Sequence, residues 1–156
     1  MSEEAVTATG AERATAPNIY PALGYRDARA AIKWLCEAFG FEERTVHPGE
    51  DDREVAHAEL SLGAGIVMLG SQSEGAPSAG EVTPDPVDGE VDFSRVPFTI
   101  YVAVEDPDAH CERAKVAGAE IVHELNDTDY GSREYSALDL EGNVWSFGTY
   151  HPAAGD

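Results

Sequence analysis

The chain has 156 residues and carries 30 acidic against 10 basic side chains, a formal charge of −20. Its 42% apolar content is enough for a packed core, while the charge excludes nucleic-acid phosphates and anionic membrane surfaces as direct partners. No apolar run approaches the roughly 20 residues of a membrane-spanning helix, and the N-terminus lacks the basic start and apolar centre of a secretory signal, so a cytoplasmic location is expected.

Residues 1–16, rich in Ala, Thr and Glu without an apolar period, read as a disordered tail. Residues 18–23 form a short apolar run ended by Gly24, which predicts a strand. Asp27 then caps a helix over residues 28–39, whose apolar side chains recur at helical spacing, and Gly40 stops it. Residues 41–47 predict a strand, and Pro48 to Asp52 a turn. Residues 54–62 alternate, with Ala58, Leu60 and Leu62 on one face and His57, Glu59 and Ser61 on the other, the pattern of a half-buried strand. Gly63-Ala64-Gly65 turns into a strand over residues 66–69. Residues 71–94, rich in Gly, Pro, Ser and acid, read as a linker.

The pattern then restarts. Residues 98–104 predict a strand; Asp106 caps a helix with Pro107 in its first turn, and Gly118 ends it. Strands follow at 120–124, 133–140 and 144–150, separated by loops at 126–132 and 141–143. Adding 78 to a number in the first half reaches a matching residue in the second: Gly40 to Gly118, Glu42 to Glu120, Leu60 to Leu138, Gly70 to Gly148. This predicts an internal duplication of a strand–helix–three-strand unit, in one register across the strands.

Cys36 and Cys111 fall in predicted helices with no CxxC or Cys/His pattern, so both are expected as reduced, packed thiols. Trp34 and Trp145 are expected in the core. His47, His110, His123 and His151 form no spaced cluster and are expected on the surface.

The paired unit resembles the vicinal oxygen chelate superfamily, which includes glyoxalase I, bleomycin-resistance proteins and extradiol dioxygenases. The resemblance lies in Tyr20-Pro21-Ala22-Leu23, Ala38-Phe39-Gly40-Phe41, Ala56-His57-Ala58-Glu59-Leu60, Asp106-Pro107-Asp108-Ala109 and Asp139-Leu140-Glu141-Gly142-Asn143-Val144-Trp145. It implies an α+β fold of two tandem βαβββ modules forming a curled mixed sheet around a U-shaped cavity. The glyoxalase-like domain would span 17–150, as module 17–70, linker 71–94 and module 95–150, with a short tail at 151–156. It also implies a homodimer. Active members bind a divalent metal through residues on the first and last strand of each unit. Those positions carry over to Tyr20, Met68, Phe98 and Ser146, none of which supplies the imidazole, thiolate or carboxylate that such a metal needs. No metal and no other cofactor are therefore expected.

Strand parity from these positions predicts a cavity lined by Tyr20, Phe98 and Tyr135 with the polar His57, Glu59, Arg133 and Asp139, and with Tyr130 at its mouth. His57 and Glu59, two apart on one face, are the catalytic candidates: a histidine held by a carboxylate can act as a general base, or both can be ordinary polar residues of a wet sheet face. Arg133 either clamps an anionic group or neutralises nearby acids. The expected function is metal-free binding of a small, partly aromatic molecule. The alternatives are a metal-dependent lyase, isomerase or dioxygenase of the glyoxalase type, and a metal-free acid–base enzyme using His57 and Glu59.

Overall fold

A computed structural model describes residues 17–152. The tail expected at 1–16 and the last four residues of the one expected at 151–156 lie outside the described residues. The described chain forms two four-stranded mixed sheets of identical order. In the first, β1 (Ala22–Tyr25) runs parallel to β4 (Gly65–Ser71), which pairs antiparallel with β3 (Val55–Leu62), and β3 with β2 (Glu42–Pro48). In the second, β5 (Ile100–Ala103), β8 (Val144–Gly148), β7 (Arg133–Leu138) and β6 (Glu120–Asp127) repeat that order. Each unit has one helix after its first strand, α1 (Ala28–Phe39) and α3 (Pro107–Val116). The tandem βαβββ duplication is therefore observed.

Local chemistry explains the helix limits. The Asp27 carboxylate accepts the Ala30 N–H at 3.0 Å and opens α1. Gly40, at φ +84°, closes it with its N–H on the Leu35 carbonyl, a conformation that penalises a side chain. Asp106 caps α3 in the same way through the Ala109 N–H at 3.1 Å. Both helix starts and stops fall where the sequence places them.

The chain divides into two compact units. The first takes residues 17–36 and 40–74, and the second takes 37–39 with 75–152. In the first unit, Leu23, Tyr25, Ala58, Leu60, Val67 and Leu69 are buried on one sheet face, and Ala28, Ala31, Ile32 and Leu35 form the buried stripe of α1. The opposite, open face carries Ala22, Glu59, Met68 and His57. In the second unit the covered face carries Tyr135, Ala137, Trp145 and Phe147, all fully buried. His110 of α3 packs there, with ring centroids 4.3 Å from Phe147 and 5.8 Å from Tyr135.

Three sequence expectations are corrected. First, the duplication does not keep one register. Met68 and Ser146 hold equivalent places on the last strands of the two units, 78 apart. Met68 pairs with Glu59 and Ser146 with Ser136, 77 apart, while Ala22 and Tyr101, their partners on the first strands, are 79 apart. The β3–β4 hairpin closes in two residues, Gly63 and Ala64, whereas β7–β8 needs five, Asp139 to Asn143. A one-residue slip turns every side chain of a strand to the other face, so Arg133, Tyr135, Ala137 and Asp139 do not share the face of Ser146; Glu134, Ser136 and Leu138 do.

Second, residues 71–94, expected as a linker or long loop, carry some regular structure. They contain a short helix, α2 (Ala79–Val82), and run into a 3-10 turn at Phe93–Arg95. From Gly75 onward this segment groups with the second unit. Gly80 N–H bonds the Glu141 carbonyl at 3.0 Å, the Thr83 hydroxyl bonds the Gly142 carbonyl at 2.7 Å, and Val91 is buried. Gly142 has to be glycine here: its φ is +93°, and a Cβ would lie 2.6 Å from the Gly80 Cα.

Third, two of the histidines expected on the surface are not there. His110 is half-buried, its ring packed on the buried aromatic side chains described above. His123 is half-buried, its Nε2 bonding the Val91 carbonyl at 2.9 Å with the Phe93 ring edge-on at 4.5 Å. Trp145 is fully buried and Trp34 half-buried. Cys111 is buried and Cys36 half-buried, with no disulfide between them.

Candidate functional site

The open face of the first sheet is organised in rows across the strands. One row runs Ala22, Met68, Glu59, Thr45; the next passes Gly24, Gly70, His57 and His47. Two small residues leave a concavity of about 360 Å³ over the second row, bordered by Ala22, Gly24, His57, Met68 and Gly70. A Cβ on Gly70 would lie 3.0 Å from the Ala56 carbonyl oxygen, a tight contact that a side chain could make only if the neighbouring strand gave by a few tenths of an ångström. His57 Nε2 lies 2.8 Å from Glu59 Oε2 at the rim, and the His47 ring is 6.2 Å from that of His57. Both members of the pair are over a third exposed, where an ion pair adds little stability. Its significance is chemical: with Nε2–H donated to Glu59, Nδ1 keeps the lone pair of a base.

The second sheet's face away from its helix is open only towards Tyr101 and Glu134, which are half-buried, and has a different row: Tyr101, Ser146, Ser136, His123. The Ser136 and Ser146 hydroxyls bond each other at 2.7 Å and both residues are buried. The neighbouring row holds Ala103, Gly148 and Glu134.

Of the residues singled out in the sequence, His57, Glu59 and Met68 come together on the first open face. Tyr20 lies before β1, off that row, and its hydroxyl donates to the Pro17 carbonyl. Phe98 precedes β5 and is 63% exposed. Ser146 is on the second open face. Tyr130 is 59% exposed, with its hydroxyl on Glu134 Oε1 at 2.9 Å.

Arg133 turns away from this face and bridges Asp108, at 2.6 Å, and Asp127, at 3.3 Å. The bonds from Arg133 hold the Asp108 carboxyl below its usual range and raise the guanidinium's own pKa. Arg133 is therefore engaged in neutralising acids. Tyr135 is fully buried, its hydroxyl paired with His110 Nδ1, and burial pushes its phenol above the usual range. Asp139 is buried as the anchor of the β7–β8 loop. Sequence reasoning does not reach Tyr101, Glu134, Ser136 or His123; the length of the β7–β8 hairpin is the signal for Glu134 and Ser136, while Tyr101 and His123 are placed by the β5–β8 and β6–β7 pairings.

The four positions read as the metal sites of relatives do not fit a metal. The residues that actually face each other across the first and last strands are Ala22 with Met68 and Tyr101 with Ser146. They offer a thioether, a phenol and a hydroxyl, a poor donor set for zinc, nickel, manganese or iron. Among the described residues no three His, Cys, Asp or Glu side chains gather in a way that could hold an ion. Nor is any described helix long and apolar enough to cross a membrane.

Tandem βαβββ units, each a four-stranded sheet with one helix, define the class of fold, one on which many functions can be built. The chain belongs to the glyoxalase/bleomycin resistance protein/dioxygenase superfamily, whose family model matches residues 19–147. It is 33% identical over 132 residues to an uncharacterized protein of Mycobacterium bovis, covering 85% of this chain and 82% of that one. Among solved structures it is similar to TioX from Micromonospora sp. ML1, at 32% identity, 89% and 100% coverage and a TM-score of 0.64. It also shares its fold with glyoxalase I from Zea mays, at 17% identity and a TM-score of 0.63, over 85% of this chain and 44% of that one.

Proposed function

We propose that the protein binds a small, partly aromatic molecule on its open sheet faces without a metal centre. The observation that supports this reading is the pair of facing positions, Ala22 with Met68 and Tyr101 with Ser146, where a metal-binding relative would need strong donors. The small residues and half-buried polar groups left there suit a compact organic ligand. The proposal includes a homodimer in the cytoplasm. Protein purified without chelators is expected to hold under about 0.1 equivalent of nickel, zinc, manganese or iron per chain, because the facing positions lack ligands. Metal-free bleomycin, used as the probe, is expected to raise the melting temperature, equally with and without EDTA. Stoichiometric metal, or a bleomycin response that EDTA abolishes, overturns the reading.

A second reading, metal-free acid–base chemistry, is favoured by one observation, the 2.8 Å His57–Glu59 contact. A base at Nδ1 should open 5-nitrobenzisoxazole, a reaction that needs a single proton abstraction. His57→Ala is expected to lower that rate by about a hundredfold with the melting temperature of the free protein little changed, since the pair is over a third exposed. Equal rates for the two proteins exclude His57 as a base.

A further inference from the structure

A cluster that neither reading uses lies at the end of the second open face. Glu134 and Gly148 are partners across β7 and β8. A Cβ on Gly148 would lie 2.5 Å from Glu134 Cγ and 2.8 Å from the Tyr101 hydroxyl. The missing methyl group is therefore what lets these two side chains meet over the strand. The Tyr101 hydroxyl donates to the Tyr150 carbonyl at 2.8 Å. The Tyr130 hydroxyl donates to Glu134 Oε1 at 2.9 Å. The rings of Tyr130 and Tyr150 meet nearly perpendicular, 81°, with centroids 5.7 Å apart. Ser132 Oγ accepts the Tyr150 N–H at 3.1 Å and fixes the strand end on the loop that carries Tyr130.

Glu134 thus has the Tyr130 hydroxyl on its carboxylate and the Tyr101 hydroxyl beside it over Gly148, and the Tyr150 ring stands against that of Tyr130. No described cation pairs with Glu134. Arg133, next in sequence, points to the other face and is spent on Asp108 and Asp127. Both Tyr130 and Tyr150 are about half exposed, so the cluster is open to solutes. Burial, and the Glu134 charge behind it, raise the Tyr101 phenol; the Glu134 bond raises that of Tyr130. Both rings stay neutral at ordinary pH, and the carboxylate carries the cluster's charge. Ring faces attract cations through their quadrupole, and a chain of charge −20 concentrates cations near its surface.

We propose that Tyr101, Tyr130, Tyr150 and Glu134 form a receptor for an organic ammonium group. This deepens, and rests on, the reading of the protein as a small-molecule binder: it names the cationic end of the ligand. The rings supply cation–π contact, Glu134 the counter-charge, and the hydroxyl bonds hold the rings in place. A primary amine could also donate to Glu134; a quaternary one would rely on ring contact and charge.

The test is titration of the full chain with choline, and with its neutral isostere 3,3-dimethylbutan-1-ol, followed by calorimetry at low salt. Choline is expected to bind at least about tenfold more tightly than the isostere. Glu134→Gln and Tyr150→Leu are each expected to weaken choline about three- to tenfold, with melting temperatures near that of the parent. Equal binding of choline and isostere overturns the proposal. So does a choline affinity untouched by Glu134→Gln, or no choline binding by the folded parent. If metal-free bleomycin still raises the melting temperature while choline does nothing, the ammonium receptor fails and the small-molecule reading stands. If neither acts and the protein retains stoichiometric metal, both fall.

Discussion

Asp139→Ala is expected to destabilise the protein by about 3 kcal/mol, from the loss of charge-assisted hydrogen bonds at a buried carboxylate. Oδ1 accepts the backbone N–H of Glu141 at 2.9 Å and of Asn143 at 3.0 Å. Oδ2 accepts the Asn143 amide at 2.9 Å and the Trp145 indole N–H at 3.0 Å. Alanine removes the carboxylate acceptor from the indole N–H of a fully buried ring, and frees the five-residue turn that sets the register of β7 on β8. For a domain of this size the loss corresponds to a fall of about 6–12 °C in melting temperature. Asp139→Asn, which keeps one acceptor, should fall between alanine and the parent. Denaturant unfolding of the three proteins checks the order, and a change under about 1 kcal/mol for alanine would show that the loop is held by other contacts.

The second large effect concerns pH. The Nε2–H of His110 donates to the Phe39 carbonyl at 2.7 Å, and its Nδ1 faces the Tyr135 hydroxyl among the rings of Phe39 and Phe147. Burial holds its pKa below the ordinary value of 6.5; the bond to Phe39 opposes that shift and the Arg113 charge adds to it. Below pH 6.5 the unfolded chain takes up a proton that the folded imidazole refuses. Stability therefore falls as pH falls from 6.5 to the folded pKa, by at most about 1.4 kcal/mol per pH unit. The chain's carboxylates also titrate as the medium becomes acidic, so the measurement is a difference. Unfolding of the parent and of His110→Gln is compared between pH 7 and pH 5. The parent is expected to lose stability relative to the variant over that range; parallel profiles would sink the assignment.

Helix ends were legible because the chemistry that makes them is local. Asp27 and Asp106 cap donors within three residues, and Gly40 needs only its own φ. The first sheet's faces were legible as well, since Ala58 and Leu60 alternate against His57 and Glu59 and a two-residue turn leaves no slack. The second sheet's faces were not. Leu138 sits 78 residues from Leu60, yet its place in the sheet is that of Ser61, because register is set by the hairpin and not by residue identity. That single residue moved Tyr135 into the core and brought Glu134 and Ser136 to the open face. His110 was illegible for another reason: its partners lie 71 and 25 residues away, and no spacing rule in α3 points to them. The helical turn of Ala79–Val82 is too short to show a period, and its bonds run to a loop some sixty residues on.

The unequal hairpins also bear on any attempt to rebuild this protein from its own parts. A chimera that grafts β3 into the place of β7 by aligning leucines would turn His57 and Glu59 towards the packed aromatic layer and carry Leu60 out to solvent. Cut one residue over, the same graft would keep the apolar side chains inside and set a second histidine–glutamate pair on the face that now carries serines. The interchangeable piece is the strand with its turn, and the turn decides which half of its side chains a solute ever meets.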